Sequence, residues 1–448
     1  MLSAIFNPFI EASPLSVMMR GLTERLLNPA QMDQWFEHFA QEQYTRELLF
    51  STVVSLMLEV VCGTRKSVNA AYQAMPAAIP VSIQAVYDKL RGVEPGVAAE
   101  LVRYAARDGQ AVIAALAGAS SAVLPGYPVR ILDRNHWAAT EHRLKALRTD
   151  AGGALPGQAL VVYDPDRDLA RDVVPGENGH AQERSLLAAV AAHLAAGQVW
   201  VMDRNFCVLH WLQRIAAHPA YFVVREHEQI RFTLLAPLQE MGTTETGEVG
   251  EQPFQVIGAN GQPVVWRRIR VLLSQPTRTG DDGVSLWTNL PATVTAMPVA
   301  RLYLKRWRIE TAFQHLAQDL NTEIKTLGYP RAALFGFCIG LVAYHSLAVL
   351  KAALRCVHGA DTLDTHLSGY YVADGVSGTY RGMMIAIPPP AWHVFRQLTV
   401  PDLAAVLIDL AEKVCLARFR KHPRGPKKPR PPRQFDPKHP HQAQVRQL

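Results

Sequence analysis

The chain has 448 residues, of which 49% are hydrophobic, 19% charged and 8% aromatic, and this composition excludes fibrous, collagen-like and wholly disordered proteins. The formal net charge is +7, but residues 418–448 hold ten basic residues and one acid, so residues 1–417 sum to −2. A near-neutral body with a basic, proline-rich tail predicts an arm that meets phosphates or an acidic surface.

Residues 1–125 are predicted to form a helical domain, because apolar residues recur at three- and four-residue spacing from residue 32 to 118. Residues 67–91 contain two short helical patterns, and the second begins at a plausible N-cap, Ser82. Such a pair resembles a helix-turn-helix, which would place Gln84, Lys89 and Arg91 near DNA. The alternative is an ordinary pair of packed helices.

Residues 126–225 change to an α/β pattern. PVRILDRN, ALVVYDPD and LARDVVPG are predicted strands, SLLAAVAAHLAAG a helix, QVWVMDRN a strand, FCVLHWLQRIAAHP a helix and AYFVVREH a strand. Three strands, a helix, a strand, a helix and a strand is the order of RNase-H-like α/β folds. This segment is therefore predicted to be the first part of an RNase-H-like core.

Residues 226–298 are predicted to form an inserted β subdomain, because β-like patterns replace the α/β alternation. Residues 299–417 then complete the core with one helix from Met297 to about Thr326 and further C-terminal helices. The apolar stretch at 332–350 is interpreted as a buried core helix, so no membrane association is expected. The tail, residues 418–448, is predicted to stay disordered until it binds nonspecifically to phosphates through residues that include Lys427, Lys428 and Arg430.

Five cysteines are scattered singly along the chain, without a CxxC pair or a cysteine–histidine cluster. This pattern argues against a disulfide framework and against a zinc site. The start of the chain has no basic segment before an apolar stretch, which argues against a secretory signal. A location in the bacterial cytoplasm or nucleoid is therefore expected.

Acidic residues recur where the predicted core could bring them together. Asp133 and Asp203 each follow an apolar strand, and neighbouring strand ends would place both carboxylates at one edge of the sheet. Tyr303, Arg306 and Glu310 are spaced by three and four residues, so they share one helix face. The alternative interpretations are a turn-forming or helix-capping Asp after each strand and an exposed Arg306–Glu310 pair.

Three carboxylates without a Cys or His cluster suit Mg²⁺ or Mn²⁺, which prefer oxygen ligands. Such ions can activate a water or a 3′-hydroxyl and stabilise the leaving oxygen of a phosphoryl displacement. The acids Asp133, Asp203 and Glu310 are therefore candidate metal ligands for cleavage and transfer of DNA strands.

The segments ILDRNHWAATEHRL, LPGQALVVYDPD, VWVMDRNF, YFVVREH and YLKRWRIETAFQHL occur in this order. With them, residues 32–433 resemble the Asp-Asp-Glu insertion-sequence transposases, and within them the IS-four group. The resemblance implies an RNase-H-like catalytic core with a β insertion. It also implies DNA as partner, both as terminal inverted repeats and as target, and a homodimer that bridges two transposon ends.

The resemblance also implies roles for individual residues. It makes Asp133, Asp203 and Glu310 the metal-binding catalytic acids, and gives Tyr303 and Arg306 a contact with the transposon-end phosphate. Arg225 matches a recurrent arginine that contacts DNA near the site. Two positions depart from the family pattern, since Ala317 stands where a signature lysine is expected and Arg134 stands where glycine is frequent.

Two tryptophans, Trp287 and Trp307, have two interpretations of equal weight. Their rings could hold an unstacked base while DNA bends into a hairpin, or they could pack in the core.

Together with the resemblance, the sequence predicts a cut-and-paste DNA transposase, with a hairpin intermediate. The alternatives are a transposase-derived regulator that binds DNA without catalysis, and a metal-dependent nuclease that hydrolyses without joining.

Overall fold

The computed structural model describes residues 2–136, 157–179, 181–258, 261–276, 280–318, 320, 322, 324, 327–368 and 382–421. Helices come first in the chain, as the sequence predicts. They are α1 (Asn7–Ala12), α2 (Pro14–Leu26), α3 (Pro29–Phe39), α4 (Phe50–Val61), α5 (Val68–Gln73), α6 (Ile83–Gly92) and α7 (Pro95–Ala115). The predicted cap is confirmed, since the Ser82 hydroxyl accepts a hydrogen bond from the Ala85 N–H at 3.3 Å.

The α/β segment that follows has the predicted strands. They are β1 (Val129–His136), β2 (Gln158–Asp164), β3 (Leu169–Gly176), β4 (Val199–Met202) and β5 (Tyr221–Arg225). Between them lie α8 (Leu187–Val190), flanked by 3-10 helices at Glu183–Leu186 and Ala191–His193, and α9 (Leu209–Ala217). The long helix predicted after β3 is therefore three short helical pieces.

The predicted β insertion does not form a sheet of its own. Its strands are β6 (Thr233–Leu234), β7 (Gln239–Thr244), β8 (Gly247–Ile257), β9 (Pro263–Leu273) and β10 (Gly283–Thr288). The order along the sheet is β3-β2-β1-β4-β5-β10-β9-β8-β6, with β7 paired to β8. Strand β10 pairs antiparallel with β5, and so the insertion extends the central sheet.

Strands β1, β4 and β5 are parallel to one another. On the other side of β1, β2 pairs antiparallel with β1, and β3 pairs antiparallel with β2. Successive residues of β4 are buried on opposite faces of the sheet. Val199 and Val201 share a core with α7 and the long helix α12 (Pro330–His358), whereas Trp200 and Met202 pack with α8 and α9. Burial on both faces explains the unbroken apolar run in this strand.

The remaining helices are α10 (Ala296–Leu304), α11 (Trp307–Gln318), α13 (Ala360–His366), α14 (residues 382–386), α15 (Pro389–Trp392), α16 (Val394–Gln397) and α17 (Val400–Glu412). Helix α12 is long and apolar enough to cross a bilayer, but its most apolar window is entirely buried inside the protein. Helices α2, α4, α6 and α7 all contact α12. The N-terminal helices therefore share their hydrophobic cores with the rest of the chain. The predicted boundary at residue 125 does not coincide with a boundary between hydrophobic cores.

Candidate active site

Asp133 and Asp203 lie side by side at the carboxyl ends of two parallel strands. The parallel register of β1 and β4 ends with Leu132 opposite Met202, and each acid directly follows that pair. Strand β1 continues past Asp133 to His136, contrary to the expected strand end, because β2 goes on pairing with it on the other side. Asp203 caps a 3-10 helix, and its Oδ1 accepts a hydrogen bond from the Asn205 N–H at 2.9 Å.

Arg306 joins the first acid to the third. Its Nη1 lies 2.6 Å from Asp133 Oδ2, and its Nη2 lies 2.8 Å from Glu310 Oε1. The Arg306 side chain is only 9% exposed, so this contact is not the exposed helical pair considered as an alternative. Tertiary structure thus places two of the three predicted acids on one guanidinium group.

The predicted single catalytic helix is broken in the structure. Helix α10 ends at Leu304 and α11 begins at Trp307, with Lys305 and Arg306 in a turn between them. The Arg306 N–H donates to the Tyr303 carbonyl at 3.0 Å, a three-residue step that tightens the turn. Tyr303, Arg306 and Glu310 nevertheless stay together, because the Arg306 guanidinium contacts the Tyr303 ring on one side of the break and the Glu310 carboxylate on the other.

Asp133 titrates far from its ordinary range. Burial raises the pKa of its carboxyl from 3.8 to about 7, against the opposing effects of the Arg306 charge and the Arg134 backbone N–H. The negative charges of Asp203 and Glu310 raise the pKa of Asp133 further. Arg306 alone therefore does not compensate for the burial of this acid among two others.

Tyr303 and Arg225 lie at the rim of the same site. The Tyr303 ring centre is 5.9 Å from the Arg306 guanidinium carbon, and burial raises the pKa of the Tyr303 hydroxyl. The charge of Asp203, at the end of β4, also raises the pKa of this hydroxyl, whereas the charge of Arg225, at the end of β5, lowers it. Both strand ends therefore lie near Tyr303. Arg225 Nη2 also pairs with Asp281 Oδ2 at 2.8 Å.

The donor chemistry of this site fits a hard divalent cation. Asp133, Asp203 and Glu310 supply only carboxylate oxygens, which Mg²⁺ and Mn²⁺ prefer. The raised pKa of Asp133 shows that its ionised form lacks enough compensating positive charge in the metal-free site, and a bound cation would supply that charge. Among the described residues, no three His, Cys, Asp or Glu side chains converge closely enough to hold a metal ion in this conformation. The Arg306 guanidinium lies between two of the acids instead.

Glu183, which the sequence analysis did not single out, is a further acid at this edge. It begins the 3-10 helix after β3 and is 9% exposed. Burial and then the charge of Asp203 raise the pKa of Glu183, whereas Arg134 and a hydrogen bond from the Asn205 side chain lower it. Strand β2 separates β3 from β1 in the sheet, so no local sequence signal marked Glu183 as part of this site.

The tryptophans with two interpretations are placed differently. Trp287 is fully buried, its ring centre is 4.5 Å from that of Phe254, and its indole N–H donates to Glu226 at 3.0 Å. In this conformation the Trp287 ring offers no surface to a base, which supports core packing. Trp307 begins α11, and its side chain lies outside the described part of the structure.

Two further predicted DNA contacts, Lys89 and Arg91, lie in the last turn of α6. Lys89 Nζ donates to the Tyr44 carbonyl at 3.1 Å and lies 4.7 Å from the Phe36 ring centre, and burial lowers the pKa of Lys89. The Arg91 guanidinium stacks over the Tyr329 ring at 4.1 Å. Both side chains thus contact their own chain in this conformation. The tail residues Lys427, Lys428 and Arg430 lie outside the described residues.

Comparison with known proteins points to one class. Residues 124–344, slightly less than half of the chain, match the family model described as a transposase DDE domain. The putative transposase y4zB of Sinorhizobium fredii (strain NBRC 101917 / NGR234) is 23% identical over 264 residues, which cover 58% of this chain. The match spans 65% of the length of that relative. Both similarities support a DDE transposase, and the matched segment contains all three candidate acids.

Proposed function

We propose that this chain is a DNA transposase of an insertion sequence of the IS-four group, which cuts and joins DNA strands with Mg²⁺ or Mn²⁺. The observation that carries the proposal is the contact of one buried guanidinium, that of Arg306, with both Asp133 and Glu310, beside Asp203 on the next parallel strand. A protein that only binds DNA has no need of three such acids at one edge.

We also propose that the core is RNase-H-like. The order β3-β2-β1-β4-β5, with β1, β4 and β5 parallel, supports this assignment, as do helices packed on both faces. In an open α/β sheet, ligands bind outside the carboxyl ends of the parallel strands. Asp133 and Asp203 lie at that edge.

Each residue of the site has a proposed task. Asp133, Asp203 and Glu310 would hold the cation through their carboxylate oxygens. When bound, Mg²⁺ or Mn²⁺ activates a water or a 3′-hydroxyl and stabilises the leaving oxygen of the phosphoryl displacement. Arg306 can present its planar N–H donors to a phosphate of the transposon end, a geometry that suits guanidinium groups. Tyr303 and Arg225, which interact electrostatically with each other beside the acids, would contact the same strand.

The proposal extends to the assembly and its setting. A homodimer would bind two terminal inverted repeats, excise the element through hairpin ends and insert it into target DNA. These steps follow from the family resemblance. The chain would act in the bacterial cytoplasm or nucleoid, which agrees with five free cysteines in the structure.

Loss of the acids should separate catalysis from binding. With duplexes taken from the DNA that flanks the gene, Asp203→Asn should abolish Mg²⁺-dependent end cleavage while gel-shift binding is retained. Adding Glu310→Gln should cost little more, because residues that act as one unit are not additive. Glu228→Gln, an exposed acid beyond β5, is the matched control and should cleave normally.

The cleavage and gel-shift assays also distinguish a transposase from the two alternatives, a nuclease and a DNA-binding regulator. A transposase should join cut ends to a second duplex, whereas a nuclease should release ends without joining them. A regulator should bind the duplexes without cleaving them in either metal. Substantial cleavage by Asp203→Asn would refute the assignment of the acids.

A further inference from the structure

The loop between β3 and α8 is anchored to the strands of the proposed active site. Gln158 of β2 donates through Nε2 to the carbonyls of Asn178 and Ala181, at 3.1 and 2.8 Å. Arg134 of β1 donates through Nη2 to the Gly179 carbonyl at 3.3 Å. These bonds hold the residues before Glu183 against β1 and β2. Glu183 therefore has a defined position relative to the catalytic strands.

The 3-10 helix that follows this loop is hydrogen-bonded to the turn after Asp203. Arg184 Nε donates to the Asn205 carbonyl at 2.6 Å, and the Asn205 side chain donates to the Glu183 carboxylate. The Asn205 backbone N–H in turn donates to Asp203 Oδ1 at 2.9 Å. Asn205 is thus held at its carbonyl and its side chain, while its N–H orients the catalytic carboxylate.

We propose that Glu183 is a positioning residue for Asp203, which it acts on by fixing the Asn205 turn and thereby setting the affinity of the site for a divalent cation. The inference rests on the proposed function, because it treats Asp203 as a metal ligand. Groups that orient a ligating carboxylate typically contribute about tenfold or more to metal affinity. Glu183 is suited to this task because it is only 9% exposed and its carboxylate is hydrogen-bonded to the Asn205 side chain.

Binding of Mn²⁺ to the full chain without DNA tests the inference. In isothermal titration calorimetry, Glu183→Ala should weaken Mn²⁺ binding by about tenfold. Glu183→Gln should recover most of the affinity, because an amide oxygen accepts the same hydrogen bond. Glu177→Ala is the matched control in the same loop, since the Glu177 side chain is 47% exposed and pairs with Arg331, and it should bind Mn²⁺ normally. End cleavage by Glu183→Ala should recover at high Mn²⁺, which a general loss of fold would not permit.

A double-mutant cycle tests the route through Asn205. Asn205→Ala keeps the backbone N–H and carbonyl, so it removes only the side-chain bond to Glu183. The double variant should bind Mn²⁺ no more weakly than either single variant, whereas independent effects would multiply to about a hundredfold. Multiplication of the effects, or Glu183→Gln binding as weakly as Glu183→Ala, would overturn the inference.

Failure of the inference differs from failure of the proposed function. If Asp203→Asn weakens Mn²⁺ binding but Glu183→Ala does not, the positioning role is wrong and the metal site stands. If Asp203→Asn leaves Mn²⁺ binding unchanged, the proposed metal site is itself wrong, and the inference falls with it.

Discussion

Asp133 should destabilise the metal-free fold, and Asp133→Asn should remove that cost. The Asp133 side chain is 14% exposed, and burial raises the pKa of the Asp133 carboxyl from 3.8 to about 7. At about 1.4 kcal/mol for each pH unit, this difference corresponds to a free energy on the order of 4 kcal/mol. The asparagine variant keeps the size of the side chain and carries no charge.

The sign follows from the raised folded-state pKa. The neutral carboxyl contributes stability that is fully present below the unfolded pKa of about 4, and this contribution is lost as the pH rises to about 7. In EDTA at pH 7.5, Asp133→Asn should therefore be more stable to unfolding than the wild type by up to about 4 kcal/mol. The difference should shrink toward pH 4.5. Arg306 loses one partner in the variant, which makes this value an upper bound.

Urea unfolding followed by tryptophan fluorescence measures the effect at pH 4.5, 6.0 and 7.5. Asp409→Asn is the control, because Asp409 forms an exposed i, i+4 pair with Lys413 and should change stability little. Mg²⁺ at a hundred times its Kd should stabilise the wild type by about 2.7 kcal/mol and the Asp133→Asn variant much less. A variant that is less stable than the wild type at pH 7.5, with unchanged pH dependence, would refute the reasoning.

Two further predictions concern the insertion and the tail. Trp287→Ala should lower the free energy of unfolding by about 3–5 kcal/mol, because the ring is fully buried against Phe254. Nicking and hairpin formation should then decrease together. A selective hairpin defect at unchanged stability would contradict this prediction. Removal of residues 418–448 should flatten the log–log salt dependence of DNA binding by about 0.9 for each phosphate that the tail neutralises, for end and random DNA alike; an unchanged slope would show that the tail neutralises no phosphates.

The pattern of apolar residues was sufficient to locate the core strands β1 to β5. Strand β4 was recognisable because both of its faces are buried, so its residues are apolar without interruption. The Ser82 cap was recognisable because capping depends on a local hydrogen bond. Local signals of this kind were weaker after β3, where the predicted helix is three short pieces.

Contacts between distant segments were not recoverable from local patterns. The break at Lys305 lies inside a continuous helical pattern, and the pairing of β10 with β5 joins segments about sixty residues apart. Glu183 was missed for the same reason, since its meaning depends on Asn205 of the following loop. Trp287 was equally open to packing and to base stacking until its burial was known.

The sequence by itself determined the order of strands and helices, the candidate acids Asp133, Asp203 and Glu310, and the resemblance that connects them to DNA chemistry. These depend on residue type and spacing along the chain. Only the tertiary structure decided that Arg306 joins Asp133 to Glu310, that the insertion extends the central sheet, and that the Asn205 side chain meets Glu183. The physical reason is that burial and charge act through space, so the energy of a carboxylate depends on neighbours that the chain brings to it from far along its length.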